Sequence, residues 1–220
     1  MAAVRVIFIC LLFGTACFAQ KNYYKENSHL SFNGGLEFGL DFTQVDGDSY
    51  YGYNKIGLNA GGIVVIHFTS VIGASMELLY SQKGSRSVGS SSSTTAGVFD
   101  ETYTMKLNYA EVPLMVRYTY NKLVEIESGI SYAYLINSAE SAQLNGQPVF
   151  IDPDLNRFNS TDIEYIVGFN VKAVKQFAVD CRFAYSITNI RPIERVPAGF
   201  SYGTKGQFNN IFVLRVVYLL

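Results

Sequence analysis

The sequence predicts an all-β protein, an eight-stranded antiparallel up-and-down transmembrane β-barrel of the smallest outer-membrane size. Eight runs alternate with period two, large apolar or aromatic residues on one parity and small or charged residues on the other. The links between them run long, short, long, short, long, short, long, the pattern of a barrel with tight turns on one rim and large loops on the other. An export-type leader precedes them, and no later run approaches the roughly 20 apolar residues of a membrane-spanning helix.

Alternation is plainest between Lys55 and Lys83. Ile56, Leu58, Ala60, Gly62, Val64, Ile66 and Phe68 oppose Lys55, Gly57, Asn59, Gly61 and His67. After Thr69-Ser70, Ile72, Ala74, Met76, Leu78 and Tyr80 oppose Gly73, Ser75, Glu77, Ser81 and Lys83, which reads as a hairpin. Each arm is long enough for the roughly 9–11 residues of a tilted membrane strand.

At the N-terminus, Arg5, the apolar Val6–Phe13 and the small residues around Cys17-Phe18-Ala19 predict a Sec-type signal peptide over 1–19, cut after Ala19. Residues 20–29 then form a periplasmic segment and 30–220 the barrel domain. An N-terminal membrane helix has too short an apolar core, and a lipoprotein cut before Cys17 lacks an aliphatic residue at the start of Gly14-Thr15-Ala16. Cleavage removes Cys10 and Cys17, so Cys181 is left without an internal disulfide partner. The formal charge of −1 becomes −2 once Arg5 is lost, no basis for binding nucleic acid.

In chain order, the first strand is predicted over 30–42, with Leu30, Phe32, Leu36, Phe38, Leu40 and Phe42 on one face and Glu37 and Asp41 on the other. A loop over 44–54 leads to the hairpin above. The Ser-rich stretch 84–103 predicts a flexible low-complexity loop. Within 104–120, Val112, Leu114, Val116 and Tyr118 oppose Glu111 and Arg117, but Met105, Leu107 and Tyr109 have the other parity; a bulge near Ala110-Glu111, beside Pro113, would reconcile them. Asn121-Lys122 turns into a strand placing Glu125 and Glu127 opposite Val124, Ile126, Ile130, Tyr132, Tyr134 and Ile136. A long loop over 137–160 follows. The next strand sets Glu164 opposite Ile163, Tyr165, Val167 and Phe169. A link at Val174-Lys175 gives Asp180 and Arg182 opposite Phe177, Val179, Cys181 and Phe183. After a loop over 190–206, the last strand sets Arg215 opposite Phe212, Leu214, Val216 and Tyr218.

The apolar face must meet lipid. Eight strands enclose only enough room for side chains, and a Lys or Arg facing lipid at mid-depth costs about 2–4 kcal/mol. The small and charged face therefore fills the lumen, and tyrosines such as Tyr80, Tyr118, Tyr132, Tyr134, Tyr185 and Tyr218 suit the membrane interfaces.

The runs MELLYSQKG (76–84), LNYAEVPLMVRY (107–118), ESGISYAYLI (127–136) and VDCRFAYSITNI (179–190) resemble the PorT-like outer-membrane β-barrel family of Bacteroidetes. The likeness runs from about Leu30 to Leu220. It implies an exported, membrane-embedded barrel; the founding member is tied to protein secretion, a role that fold alone does not transfer. Such barrels commonly end in an aromatic residue, whereas this chain ends Tyr218-Leu219-Leu220.

The inward parity gathers Glu37, Glu77, Glu111, Glu125, Glu127, Glu164 and Asp180 with Lys55, Lys83, Arg117, Arg182 and Arg215. Unpaired buried charge is costly, so these predict a paired, hydrogen-bonded plug rather than a polar pore or a carboxylate catalytic pair. Asp152-Pro153-Asp154-Leu155-Asn156 opens like a calcium loop, but Arg157 stands where Gly belongs and Ile163 where a bidentate Glu belongs. His29 and His67 lack metal-ligand companions, and neither a phosphate loop nor a Ser-His-acid motif occurs. The sequence thus predicts no catalytic, metal or cofactor site. It points to a monomeric structural or interaction barrel in the outer membrane, contacting lipid, lipopolysaccharide and an envelope or secretion partner. The alternative is a lipid-modifying barrel enzyme or a narrow channel. Arg191, Arg195 and Lys205 in the last loop suit either solvent or lipopolysaccharide phosphate.

Overall fold

A computed structural model describes residues 30–87, 90–94, 97–121, 123–197, 199–200 and 203–220. The expected signal peptide, its cleavage point, the segment 20–29 and His29 lie outside them. The strands are β1 (Ser31–Asp46), β2 (Lys55–His67), β3 (Ile72–Arg86), β4 (Ser90–Thr94), β5 (Gly97–Asn121), β6 (Val124–Leu144), β7 (Gln147–Val149), β8 (Thr161–Lys172), β9 (Phe177–Ser186) and β10 (Phe208–Leu219). Eight of them form a closed antiparallel ring, β1-β2-β3-β5-β6-β8-β9-β10, sealed where β10 pairs with β1 from Gly35↔Leu219 to Asp46↔Phe208. The predicted fold class is the observed one. Closure leaves no ring strand with an unpaired edge in lipid.

Short links form where a side chain can finish the turn. The Thr69 hydroxyl accepts the Val71 and Ile72 N–H groups, and the Asn121 carbonyl oxygen accepts those of Leu123 and Val124. Between these turns and the opposite rim the two faces separate sharply. Leu36 is 65% exposed and Glu37 3%; Leu78 is 67% exposed and Glu77 2%. The exposed face is the lipid-facing one. Tyr80, Ala110 and Tyr134 align across β3, β5 and β6 at the long-loop side of the apolar band, while Tyr218 pairs with Leu36 and Phe177 at the short-turn side.

Two predicted loops are largely strand instead. The stretch 84–103 continues β3 to Arg86, adds β4 and begins β5, with β4 pairing from Ser90↔Glu101 to Thr94↔Gly97. The stretch 137–160 continues β6 to Leu144 and returns through β7 over a turn at Asn145-Gly146, both at positive φ. Ser and Thr carry no large apolar side chain to mark a strand, but their backbones pair once a neighbouring strand is in place, and β-branched Thr favours strands. The result is a sheet of β4, β5, β6 and β7 standing above the long-loop rim.

The irregularity expected near Ala110-Glu111 is present beside Asn108-Tyr109, but it does not interrupt β5 itself. Residues 103 to 117 of β5 bury every second side chain without a break, and β5 pairs with β3 in constant register. The shift is one strand over, where Asn108↔Asn137 gives way to Tyr109↔Leu135 and Ile136 is the extra residue of β6. Met105, Leu107 and Tyr109 consequently point into the lumen. With Val45, Tyr50, Tyr103, Ala133, Ala142, Ile190 and Phe200 they form an apolar cluster at its long-loop end. Large apolar residues are thus not confined to the lipid face.

Candidate functional site

Below that cluster the lumen is filled by charge together with two smaller apolar clusters, Ile63, Val65, Ala178 and Val217 and Met115, Ile166, Ala184 and Ile211. Arg182 on β9 meets Glu77 of β3 at 2.7 Å and Asp180 at 3.0 Å, and its Nε donates to Glu127 of β6. Arg215 on β10 meets Glu37 of β1 at 2.6 Å, Asp180 at 3.1 Å and Glu77 at 3.3 Å. The two guanidinium groups therefore share Glu77 and Asp180, and five strands are tied across the lumen. Nearer the long loops, Lys83 bridges Glu164 at 2.6 Å and Glu111. At the short-turn side Arg117 pairs with Glu125 at 3.1 Å and Glu127 at 3.5 Å, and Lys172 reaches Glu125 at 2.8 Å. All ten residues expected in the network, Glu37, Glu77, Glu111, Arg117, Glu125, Glu127, Glu164, Asp180, Arg182 and Arg215, lie buried in the lumen.

Carboxylates beyond these are held by neutral donors. Asp41 accepts from Asn59 at 3.0 Å and Ser81 at 2.6 Å. Asp162 accepts from Ser186 at 2.6 Å and from Thr188 and Asn209 at 3.0 Å. Asp162 shares the inward parity of Glu164, the one signal in the sequence that marks it. Between the two charge layers lies a cavity of about 20 Å³, bordered by Asp41, Lys83, Glu164, Arg182 and Arg215, room for about a single water.

Glycine makes space for the arginines. Arg215 faces Gly39 across β1, Arg182 faces Gly168 across β8, and Arg117 faces Gly73 across β3. A Cβ at Gly39 would lie 2.1 Å from the Leu214 carbonyl oxygen and 2.7 Å from Arg215 Cγ, whereas one at Gly34 on the same strand would meet nothing within 4 Å. Gly39→Ala is expected to cost about 1–3 kcal/mol, the usual range for overpacking. Gly34→Ala should leave urea unfolding nearly unchanged. Equal midpoints for the two variants would show that the arginine layer adapts freely.

The long-loop end is closed by residues that carried no periodic signal. Arg191, expected among solvated loop charges, is fully buried. It pairs with Glu140 at 2.8 Å, donates to Gln207 at 2.8 Å and lies 4.3 Å over the Phe158 ring. The Tyr103 hydroxyl donates to the same Glu140, and its ring stacks on Tyr50 and Phe200. Arg195 is also engaged, donating to the Arg157 carbonyl at 3.1 Å and to Asn159 at 2.5 Å, while Lys205 is exposed. Outside the membrane-spanning part, burial pushes the Asp48 carboxyl up to about 6, against hydrogen bonds from Ser85 and the Tyr50 N–H that favour ionisation. Asp152 is spent on its own turn, accepting the Asp154 N–H at 2.9 Å. Among the described residues there is no group of three or more His, Cys, Asp or Glu arranged to hold a metal ion.

No curated protein matches the chain. Among solved structures, it is similar to Ail, the attachment invasion locus protein of Yersinia pestis, in complex with the heparin analogue sucrose octasulfate: 11% identity, 86% of this chain and 99% of that one covered, TM-score 0.44. Neisserial surface protein A is similar at 10% identity, with 87% and 99% covered and a TM-score of 0.46. OprG from Pseudomonas aeruginosa follows at 8% identity, 87% and 95% covered, TM-score 0.36. Residues 18–191 match the outer membrane protein beta-barrel domain, a span that takes in every ring strand except β10. The closed ring with its lipid-facing apolar band and that match over most of the sequence lead to one assignment: the chain belongs to the outer membrane protein beta-barrel domain family.

Proposed function

We propose that this protein is a structural or interaction barrel of the outer membrane whose working surface is its long-loop end, and that it is not an enzyme. The observation that carries this reading is the filled lumen, a charge-paired plug beneath an apolar cap with room left for about one water. In this reading a Sec signal peptide over 1–19 is removed, 20–29 and the short turns face the periplasm, and the sheet β4–β7 projects outside. The resemblance to the PorT-like barrels of Bacteroidetes supports an envelope or secretion partner. Among the described residues, the lumen carboxylates outside the ion pairs, Asp41 and Asp162, are each engaged by neutral hydrogen-bond donors.

Planar-bilayer recording on the purified monomer tests this directly. The expected result is no steady conductance across the physiological voltage range. A stable, ion-selective current would replace the plug with a channel. Exchange of residues 84–103 or 137–160 should abolish partner capture while single lumen substitutions leave it intact. Loss at one lumen residue with the fold preserved would favour an enzyme.

A further inference from the structure

The wall of the barrel has a seam. β2 and β3 pair from His67↔Gly73 only as far as Asn59↔Ser81, yet β2 begins at Lys55 and β3 runs on to Arg86. Above that point the ladder stops although the backbones stay close: a Cβ at Gly57 would lie only 1.7 Å from the Gln82 carbonyl oxygen. The Gln82 side chain stands in for the ladder, accepting the Leu58 N–H at 3.2 Å and donating to the Tyr80 hydroxyl at 3.2 Å. The Thr43 hydroxyl donates to the Gly84 carbonyl at 2.7 Å. Gly84, at φ +131°, leaves room for the Lys55 stem, whose Cδ would lie 3.3 Å from a Cβ there.

The seam opens into a groove of about 800 Å³ on the outer wall, lined by Lys55, Arg86 and Lys106 with Gln82, Thr104 and Asn108. No lining residue is acidic. None of the three cations forms a salt bridge among the described residues; Lys55 is near enough to the buried Asp41 to be attracted by it and, more weakly, to Lys106 to be repelled. A solvated surface spreads like charges apart; here the break in the ladder and a glycine bring them together around amide and hydroxyl donors. That arrangement matches a tetrahedral oxyanion.

Position selects the source of the anion. Gly84↔Lys106 lies four residues beyond Tyr80↔Ala110, about 10 Å higher after strand tilt. Tyr80 belongs to the aromatic level, so the groove sits at headgroup height. Ile56, 60% exposed, borders it on the lipid side, where an acyl chain would run. We propose that this seam binds a phosphate of an anionic outer-leaflet lipid headgroup, with Lys55, Arg86 and Lys106 as its cations.

Native mass spectrometry of the full protein, released from mild detergent and titrated with bis-phosphorylated lipid A, tests the site. The unaltered protein should retain the lipid, and K55Q/R86Q/K106Q should lower the bound fraction at least tenfold. K175Q, which removes an exposed charge at a short turn, should not. Heat-modifiable gel migration checks that the variants are folded; if the triple variant is not, R86Q and K106Q alone should each lower binding several-fold. Equal retention by these variants would overturn the site. Equal binding of dephosphorylated lipid A, or full competition by equimolar inorganic phosphate or a soluble sulfated sugar, would overturn its assignment to a lipid phosphate. Channel or enzyme activity would refute the function proposed above without touching these outcomes.

Discussion

Arg182→Ala is expected to lower the unfolding free energy of the barrel by about 3–5 kcal/mol, the usual loss when one partner of a buried ion pair is removed. Its guanidinium lies against Glu77, Glu127 and Asp180 at once. Truncation would leave Glu77 and Asp180 to Arg215, which already serves Glu37, and Glu127 to Arg117 alone at 3.5 Å. The small cavity beside Arg182 would widen and admit water, which sets the loss toward the lower end of the range. Lys172 gives the contrast: its ammonium is bonded to Glu125 but its side chain is 37% exposed, and such pairs are worth at most about 1 kcal/mol. The chain has no tryptophan, so urea unfolding in detergent is best followed by the gel shift or by circular dichroism. A loss below about 1 kcal/mol for Arg182→Ala would mean that the network contributes specificity or nothing, rather than stability. Adding Glu77→Gln should recover part of the loss, because one unpaired charge disappears with it.

The barrel was legible because membrane strands carry their orientation in period two. Leu36 beside Glu37 and Leu78 beside Glu77 state, residue by residue, which way the wall faces. The same parity gathered the lumen charges onto one face, although it could not say which carboxylate meets which guanidinium; that depends on cross-strand register, set by closure between β1 and β10. Reading failed above the aromatic level. There, no lipid compels apolar residues outward, so Met105, Leu107 and Tyr109 could turn inward without a change of parity in β5. Arg191 was invisible for a different reason. Its burial depends on Glu140, Gln207 and Phe158, brought together from β6 and two loop segments by the closed ring.

Two leucines on β5 discriminate between the lumen-facing and the lipid-facing reading of its upper half. Leu107 is fully buried within the apolar cap, next to Met105 and Tyr109 on the same inward face. Leu114, seven residues on, has the opposite parity and is 50% exposed on the lipid face. Leu107→Ala should cost about 2–5 kcal/mol, because the packed cap cannot fully collapse around the lost atoms. Leu114→Ala should cost under about 1 kcal/mol, since lipid chains close the space that a truncated side chain vacates. Had the bulge been at Ala110-Glu111, both leucines would face lipid and both losses would be small. Losses of the same small size in matched unfolding curves would therefore restore that bulge and remove the cap. A large loss at Leu107 alone places the apolar seal inside the barrel mouth, above the ion pairs, where it keeps water from the charges that hold the strands together.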